Sequence, residues 1–261
     1  MIVYRKRQKG FFMKIQLIRN ATMKITYAEH TILTDPLLAQ KDAYEPFAGI
    51  ARNPTIELPF EVEEILKGVE SVVVSHDHPD HFDKAASASL PNMIPVFCQP
   101  GDEVRFAEVG FRNVIPIETS YTWEGITITR TGGKHGKGKI LKFTGEVSGF
   151  VFQANGEPTV YWVGDSIWCE PVENTIEMFK PGIIITHSGG ATIPGFESII
   201  MDGEQTLKTV NASQDAVVVA IHMEALDHCR VSRETLRQMA DRAAIPSSRL
   251  MIPEDGETIA F

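Results

Sequence analysis

The sequence predicts a layered α/β domain, on three observations. From residue 60 onward, short apolar runs alternate with helix-length segments, the pattern of a sheet covered by helices. The apolar runs are β-branched and bounded by polar residues or glycine: Ser71-Val-Val-Val-Ser75, Ile183-Ile-Ile-Thr186 and Asp215 to Ile221 (DAVVVAI). Such runs read as buried strands. The chain, at 261 residues with 43% apolar and 23% charged residues, has the size and composition of a soluble protein with a sizeable core.

Taken in order, residues 1–12 (MIVYRKRQKGFF) are basic and then briefly apolar, without the long apolar core or cleavage site of a secretory leader. They read as an N-terminal arm, and residues 13–261 as one domain. Met13 to Leu38 alternates in strand fashion, broken at Asn20-Ala21 and Glu29-His30. Residues 39–60 carry Pro46, Gly49, Pro54 and Pro59 and read as a long loop, a feature that is often functional. Helices are expected over 60–68, 84–90 and 100–108, with strands at Ile94–Cys98 and Val114–Ile117. A strand pair turns around Gly125, and Asn155-Gly156 marks a hairpin between Val147–Gln153 and Pro158–Val163. A flexible basic loop, Thr131 to Lys139, lies between them. Further on come a helix over 172–179, a strand ending at His187, and a helix from Glu204 with Asp202 as its N-cap. The strand ending at His222 follows. Ser232 caps an amphipathic helix to Ala244 with Leu236, Met239 and Ala243 on one face. A closing strand is expected over 250–259.

The chemistry concentrates in Val74-Ser-His-Asp-His-Pro-Asp-His-Phe-Asp83, immediately after a strand. His76, His78, Asp80 and His81 are four potential ligands in six positions, and Pro79 ends regular structure between them. Imidazole and carboxylate are the N/O donors that zinc and similar divalent ions take. A solvated polar loop would also tolerate these residues. With only eight histidines in the chain, three at this spacing point to a metal site.

His76-x-His78-x-Asp80-His81 resembles the H-x-H-x-D-H signature of the metallo-β-lactamase superfamily, and the likeness runs in order over residues 13–261. It implies a four-layer αββα sandwich with a two-metal site at one edge. It assigns His76, His78 and His135 to one ion, Asp80, His81 and His222 to the other, and Asp165 as the bridge. Other readings stand beside these: His135 as an exposed loop histidine, and Asp165 as a helix N-cap. Asp35, in Thr34-Asp35-Pro36, matches an aspartate that buttresses a ligand histidine, or else caps a turn. His187 is a candidate substrate contact or a structural residue. His228 is a fallback ligand, and Arg230 a candidate anion contact. The 39–60 loop would border the site, making Tyr44, Phe47 and Arg52 candidate substrate contacts.

The resemblance implies a hydrolase that uses hydroxide held by two divalent ions, zinc first, manganese or iron as alternatives. Catalytic roles fall to Asp80 and Asp165. No G-x-S-x-G element suggests a serine nucleophile. His78 stands where oxygen-reducing di-iron relatives carry glutamate, and the second ligand set lacks the cysteine of the β-lactamases themselves. The segment Met201 to His222 and the Pro253-Glu-Asp-Gly-Glu257 turn are most similar to the lactonase-like ascorbate phosphate lactonase group. A small, anionic-leaning lactone, ester or phosphodiester is the expected substrate. A metal-binding protein without turnover, or an oxygen-reducing di-iron protein, are the alternatives. Net charge of −9 argues against a nucleic-acid partner, and no run is long enough to span a membrane. Cys98, Cys169 and Cys229 are scattered, which fits a reducing cytoplasm better than a disulfide framework. A homo-oligomer is compatible with all of this.

Overall fold

The structure, a computed structural model, describes residues 13–261; the N-terminal arm lies outside them. The first half contains β1 (Lys14–Arg19), β2 (Thr22–Tyr27), β3 (His30–Thr34), α1 (Val62–Leu66), β4 (Ser71–Val73), α2 (Lys84–Ser89), β5 (Val96–Cys98), α3 (Glu103–Glu108) and β6 (Val114–Pro116). The second contains β7 (Ser120–Trp123), β8 (Ile126–Gly132), α4 (Leu141–Thr144), β9 (Ser148–Gln153), β10 (Val160–Trp162), α5 (Glu170–Phe179), β11 (Ile183–His187), α6 (Gly203–Ala212), β12 (Val217–Ile221), α7 (Arg233–Arg242) and β13 (Leu250–Met251). The last strand, β14 (Thr258–Ala260), returns to the first sheet.

Among the described residues the strands form two seven-stranded sheets, β14-β1-β2-β3-β4-β5-β6 and β13-β12-β11-β10-β9-β8-β7. Each sheet is antiparallel at one side and parallel at the other, with helical crossovers between the parallel strands. The two halves therefore repeat one topology although the sequence shows no repeat.

Three apolar clusters define the layers. One joins the facing sheets through Ile15, Leu17, Ile25, Tyr27, Phe150, Trp162, Ile185 and Val219. A second fills the space between the second sheet and α5, α6 and α7. The third does the same for the first sheet and α1, α2 and α3. The expected αββα sandwich is observed. It explains why the parallel strands are apolar throughout: in β12, Val219 and Ile221 face the other sheet while Val218 and Ala220 face helices.

Local expectations fare unevenly. Asp202 and Ser232 cap α6 and α7, accepting from Gln205 N and Thr235 N. The single closing strand is instead two short strands in different sheets, β13 beside β12 and β14 beside β1, because the turn at Pro253–Gly256 carries the chain across the sandwich. On α7, Leu236 and Ala240 are buried and Ala243 is exposed, since the helix ends at Arg242. The Thr131–Lys139 loop leads into a 3-10 turn over Gly138–Ile140 and then α4; its lysines are exposed but His135 is buried.

Candidate metal centre

In both sheets the functional side chains leave the C-terminal ends of strands, where open α/β sheets place their sites. Asp35 follows β3, and Ser75 and His76 follow β4. His135 lies beyond β8, Asp165 beyond β10, His187 ends β11 and His222 follows β12. Two of these turns use left-handed backbone, at Asp35 (φ 36°) and His222 (φ 61°), an uncommon conformation for residues other than glycine. Gly164 (φ +71°) makes the turn before Asp165, where an added Cβ would stand 2.5 Å from the Ser148 carbonyl oxygen.

All seven residues that the resemblance assigns to metal meet in two adjoining groups. His76, His78 and His135 form one; Asp80, His81, Asp165 and His222 form the other. Within each, the potential donor atoms lie within 4.8 Å of one another. Asp165 faces both groups. Its Oδ2 is 3.2 Å from His81 Nε2, 3.4 Å from His135 Nε2 and 3.9 Å from His76 Nε2, and its Oδ1 is 3.5 Å from His222 Nε2. Asp80 Oδ2 lies 3.3 Å from His81 Nε2 and 3.5 Å from His222 Nε2.

These contacts bear on whether the residues fit a cation. His81 Nε2 and His222 Nε2 are buried and make no aligned hydrogen bond, although carboxylate oxygens stand nearby. Two donors about 2.1 Å from one tetrahedral ion are separated by roughly 3.4 Å. The separations of His81 Nε2 from Asp80 Oδ2 and Asp165 Oδ2, and of His222 Nε2 from Asp80 Oδ2, run from 3.2 to 3.5 Å and match an ion lying between the nitrogen and the oxygen. That spacing fits a divalent cation in the Asp80–His81–Asp165–His222 group; the other group offers three imidazoles, donors of the type such ions take, with His76 Nε2 and His78 Nδ1 2.9 Å apart.

The outer ring nitrogens are held from behind. His81 Nδ1–H donates to Asp35 Oδ2 at 2.6 Å, and His135 Nδ1–H donates to the Ile199 carbonyl at 2.9 Å. His76 Nδ1–H donates at 2.9 Å to Ser75 Oγ, which donates in turn at 2.7 Å to Asp35 Oδ2. Asp35 thus supports two histidines, one through Ser75. His222 Nδ1 faces Cys229 Sγ at 3.8 Å. A partner on the far nitrogen fixes the tautomer and leaves the near lone pair free for a metal.

The electrostatics agree with that role. Burial holds His76 well below the usual histidine range and His135 down at about 4, so both are neutral imidazoles. Burial also works against charge on His81 and His222. For His81, Asp165, Asp80 and Asp35 outweigh it and hold the ring well above the usual range; for His222, Asp165 and the nearby Asp80 carboxylate raise it to about 10. Asp80 and Asp165 resist the upward push of burial and sit well below the carboxylate range, with His81 the main cause. The two carboxylates thus favour positive charge at His81 and His222, where a cation would sit.

The remaining candidates separate. His187 is fully buried with both ring nitrogens engaged: Nδ1 lies 2.5 Å from Asp165 Oδ1, and Nε2 accepts from Trp162 Nε1 at 2.9 Å. Of the two roles expected for His187, these contacts are those of a structural residue. His228 is outside both donor groups; its ring meets Phe47 edge-on, with centroids 5.3 Å apart. Arg230 is exposed and donates to Thr192 Oγ1. Tyr44 is turned to Asp83 and Arg52 pairs with Glu45, whereas Phe47 packs against His228.

Several contributors carry no sequence signal. Ser75 is visible only as the last residue before the motif. Asn20 donates through Nδ2 to the Asp80 carbonyl and accepts from His222 N through its own carbonyl, tying one ligand loop to another. Asp227 accepts from the backbone N–H groups of Phe47, Ala48 and Ile50 and from Asn53 Nδ2, pinning the 39–60 loop beside His228.

Comparison with known proteins places this geometry in a family. The family model for the beta-lactamase superfamily domain matches residues 30–223. The UPF0173 protein YddR of Bacillus subtilis (strain 168) is 36% identical over 255 residues, covering 95% of this chain and 100% of that protein. The crystal structure of "a possible metal-dependent hydrolase" from Veillonella parvula DSM 2008 superposes with a TM-score of 0.93 at 37% identity, covering 96% of this chain and 100% of that one. Isothiocyanate hydrolase from Delia radicum gut bacteria superposes with a TM-score of 0.91 at 36% identity, covering 95% and 99%. With the αββα sandwich, the H-x-H-x-D-H loop and these end-to-end likenesses in agreement, the chain belongs to the metallo-β-lactamase superfamily.

Proposed function

We propose that this protein is a metal-dependent hydrolase that holds two divalent cations and attacks a small electrophile bearing an apolar substituent, with an isothiocyanate as the leading candidate. The observation that carries the reading is the meeting of seven donor side chains in two groups that share Asp165. Bound there, the cations would supply an acidified water and an electrophilic centre at neutral pH. His76, His78 and His135 would hold one cation; Asp80, His81 and His222 the other. Asp80, ionised and slightly exposed at the edge of the cluster, is placed to orient the water and accept its proton. Water added to the central carbon of R–N=C=S gives a thiocarbamate, which divides into the amine R–NH2 and carbonyl sulfide. That sequence needs no redox partner.

Two observations support the substrate class. The likeness to the isothiocyanate hydrolase runs the length of both chains. Four exposed apolar side chains, Phe47, Ile50, Phe143 and Phe196, stand on segments that contact site residues or their neighbours. Phe47 and Ile50 belong to the segment pinned by Asp227. Phe143 lies on α4, whose Thr144 backbone meets His78. Phe196 lies on the loop that accepts from His135 through the Ile199 carbonyl and donates from Thr192 N to the His228 carbonyl.

A second reading, an anionic lactone or phosphodiester, rests on the exposed Lys134, Lys137 and Lys139 beside His135. Zinc- and manganese-loaded protein, offered benzyl isothiocyanate, a lactone, a carboxylic ester and bis-p-nitrophenyl phosphate, separates the two. Amine release from the isothiocyanate, lost in His78→Ala with the fold intact, is the expected result. Turnover confined to the lactone or phosphodiester overturns the substrate class. Silence across the panel at full metal occupancy overturns the hydrolase reading and leaves a metal-binding protein without turnover.

A further inference from the structure

We propose that Trp162 and His187 form a positioning pair that locks the orientation of Asp165, so that one chosen oxygen, Oδ2, is left to serve both donor groups. The inference rests on the two-cation reading above, but it is argued from atoms that are not themselves ligands.

The argument begins with the indole. Its N–H can only donate, having no lone pair in the ring plane. Trp162 is fully buried on β10, packed near Phe150 and His187 within the inter-sheet core. Its Nε1 lies 2.9 Å from His187 Nε2. That nitrogen must accept, so it carries no hydrogen. The single proton of the neutral ring then sits on Nδ1 and points to Asp165 Oδ1 at 2.5 Å. A buried hydrogen-bond donor from the core thus selects the tautomer of a second buried group, which in turn occupies one oxygen of the carboxylate. A hydrogen bond to an ionised acceptor is shorter and stronger than a neutral one, and this contact is short.

The sheet fixes the geometry. β10 and β11 pair in parallel, with Trp162 opposite Ile185, and Val163 N continues the ladder to the Ile185 carbonyl. His187, two residues on, therefore reaches the level of Asp165 after the Gly164 turn. On its other side His187 pairs in register with Ile221, next to His222, and the two imidazoles lie 4.9 Å apart. His187 is thus walled between strands and cannot swing away. With Oδ1 engaged, the oxygen that faces both His81 on one side and His76 and His135 on the other is Oδ2.

Removing the pair would free Asp165 to rotate. Loss of a hydrogen-bonded support to a metal ligand typically weakens metal affinity 10- to 100-fold. Four variants test the proposal: Trp162→Phe, which removes only the indole N–H; His187→Asn, whose amide nitrogen overlies Nδ1; His187→Gln, whose amide nitrogen overlies Nε2; and His187→Ala. Zinc affinity and stoichiometry are measured by competition with a chromophoric chelator, beside the thermal midpoint of each metal-free variant. The expected result is affinity near wild type for His187→Asn and a 10- to 100-fold loss for His187→Gln and His187→Ala, with an intermediate loss for Trp162→Phe. Equal affinity in all four, or losses that track the metal-free thermal midpoint alone, would overturn the proposal in favour of a packing role. Nitrogen-15 NMR of the His187 ring is a second, independent readout. The account requires the Nδ1–H tautomer in wild type, and an Nε2–H tautomer overturns it. If wild type binds no zinc, the two-cation reading fails, and the tautomer still reports on the Trp162–His187–Asp165 chain.

Discussion

Asp227 offers a test of how the site mouth is built. Its carboxylate gathers backbone N–H groups from Phe47, Ala48 and Ile50 and the amide of Asn53, across a sequence separation of more than 170 residues. Burial alone would raise its pKa; these donors, Asn53 foremost, lower it from 3.8 to about 2. A carboxylate depressed by that much contributes about 2 kcal/mol to the folded state when ionised. The sign is set by the depression: the contribution is full above pH ~4 and disappears as pH falls toward 2. Asp227→Ala removes it wherever the carboxylate is ionised, so the thermal midpoint should fall by about 4–8 °C at neutral pH if the loop must be seated for the domain to fold. If the loop opens on its own, the midpoint moves less and amide exchange at residues 47–51 accelerates by about 30-fold instead, the same free energy read locally. Differential scanning calorimetry and hydrogen exchange together account for both routes. Asp227→Ala with an unmoved midpoint and unchanged exchange at 47–51 would refute the claim that this carboxylate holds the loop.

Other outcomes follow from the same structure. Asp35→Asn leaves His81 and the Ser75–His76 pair with a weaker acceptor, and zinc affinity by chelator competition should fall about 10- to 100-fold. Gly189→Ala would place a Cβ 2.1 Å from the His222 carbonyl oxygen and 2.8 Å from Cys229 Sγ; a loss of roughly 2–3 kcal/mol in chemical denaturation and displaced metal binding are expected. His222, raised to about 10 in the metal-free protein, must give up its proton to bind metal, so zinc affinity should climb with pH through neutrality, and calorimetry in buffers of different ionisation enthalpy should detect proton release. Phe47→Ala should raise KM for an aromatic isothiocyanate by roughly tenfold with kcat little changed, since it removes apolar contact without touching the donor groups.

Much of the fold was legible because its signals are local. The β-branched runs at 71–75, 183–186 and 215–221 mark strands by composition, and Asp202 and Ser232 mark helix starts by the side chain each helix needs. The donor residues were legible as histidines and aspartates standing where strands end. What supports them was not. Ser75, Asn20, Trp162 and Asp227 act through hydrogen bonds to residues far away in sequence, and none has a composition or spacing that distinguishes it from an ordinary serine, asparagine, tryptophan or aspartate. His187 was visible as a histidine at a strand end, but its contacts with Trp162 and Asp165 depend on burial between β10 and β12, a property of sheet pairing. The tail read as one strand because turn and strand residues are interleaved there; only the sandwich shows that β13 and β14 belong to different sheets.

The central claim is that seven side chains form two adjoining cation sites around one shared carboxylate. Elemental analysis of purified protein, wild type beside His135→Ala and His222→Ala, tests it most directly. The account predicts two divalent ions per wild-type chain and the loss of one in each variant, with the fold retained. A wild-type chain that takes up no divalent ion when supplied, or a content unchanged by both substitutions, would contradict it.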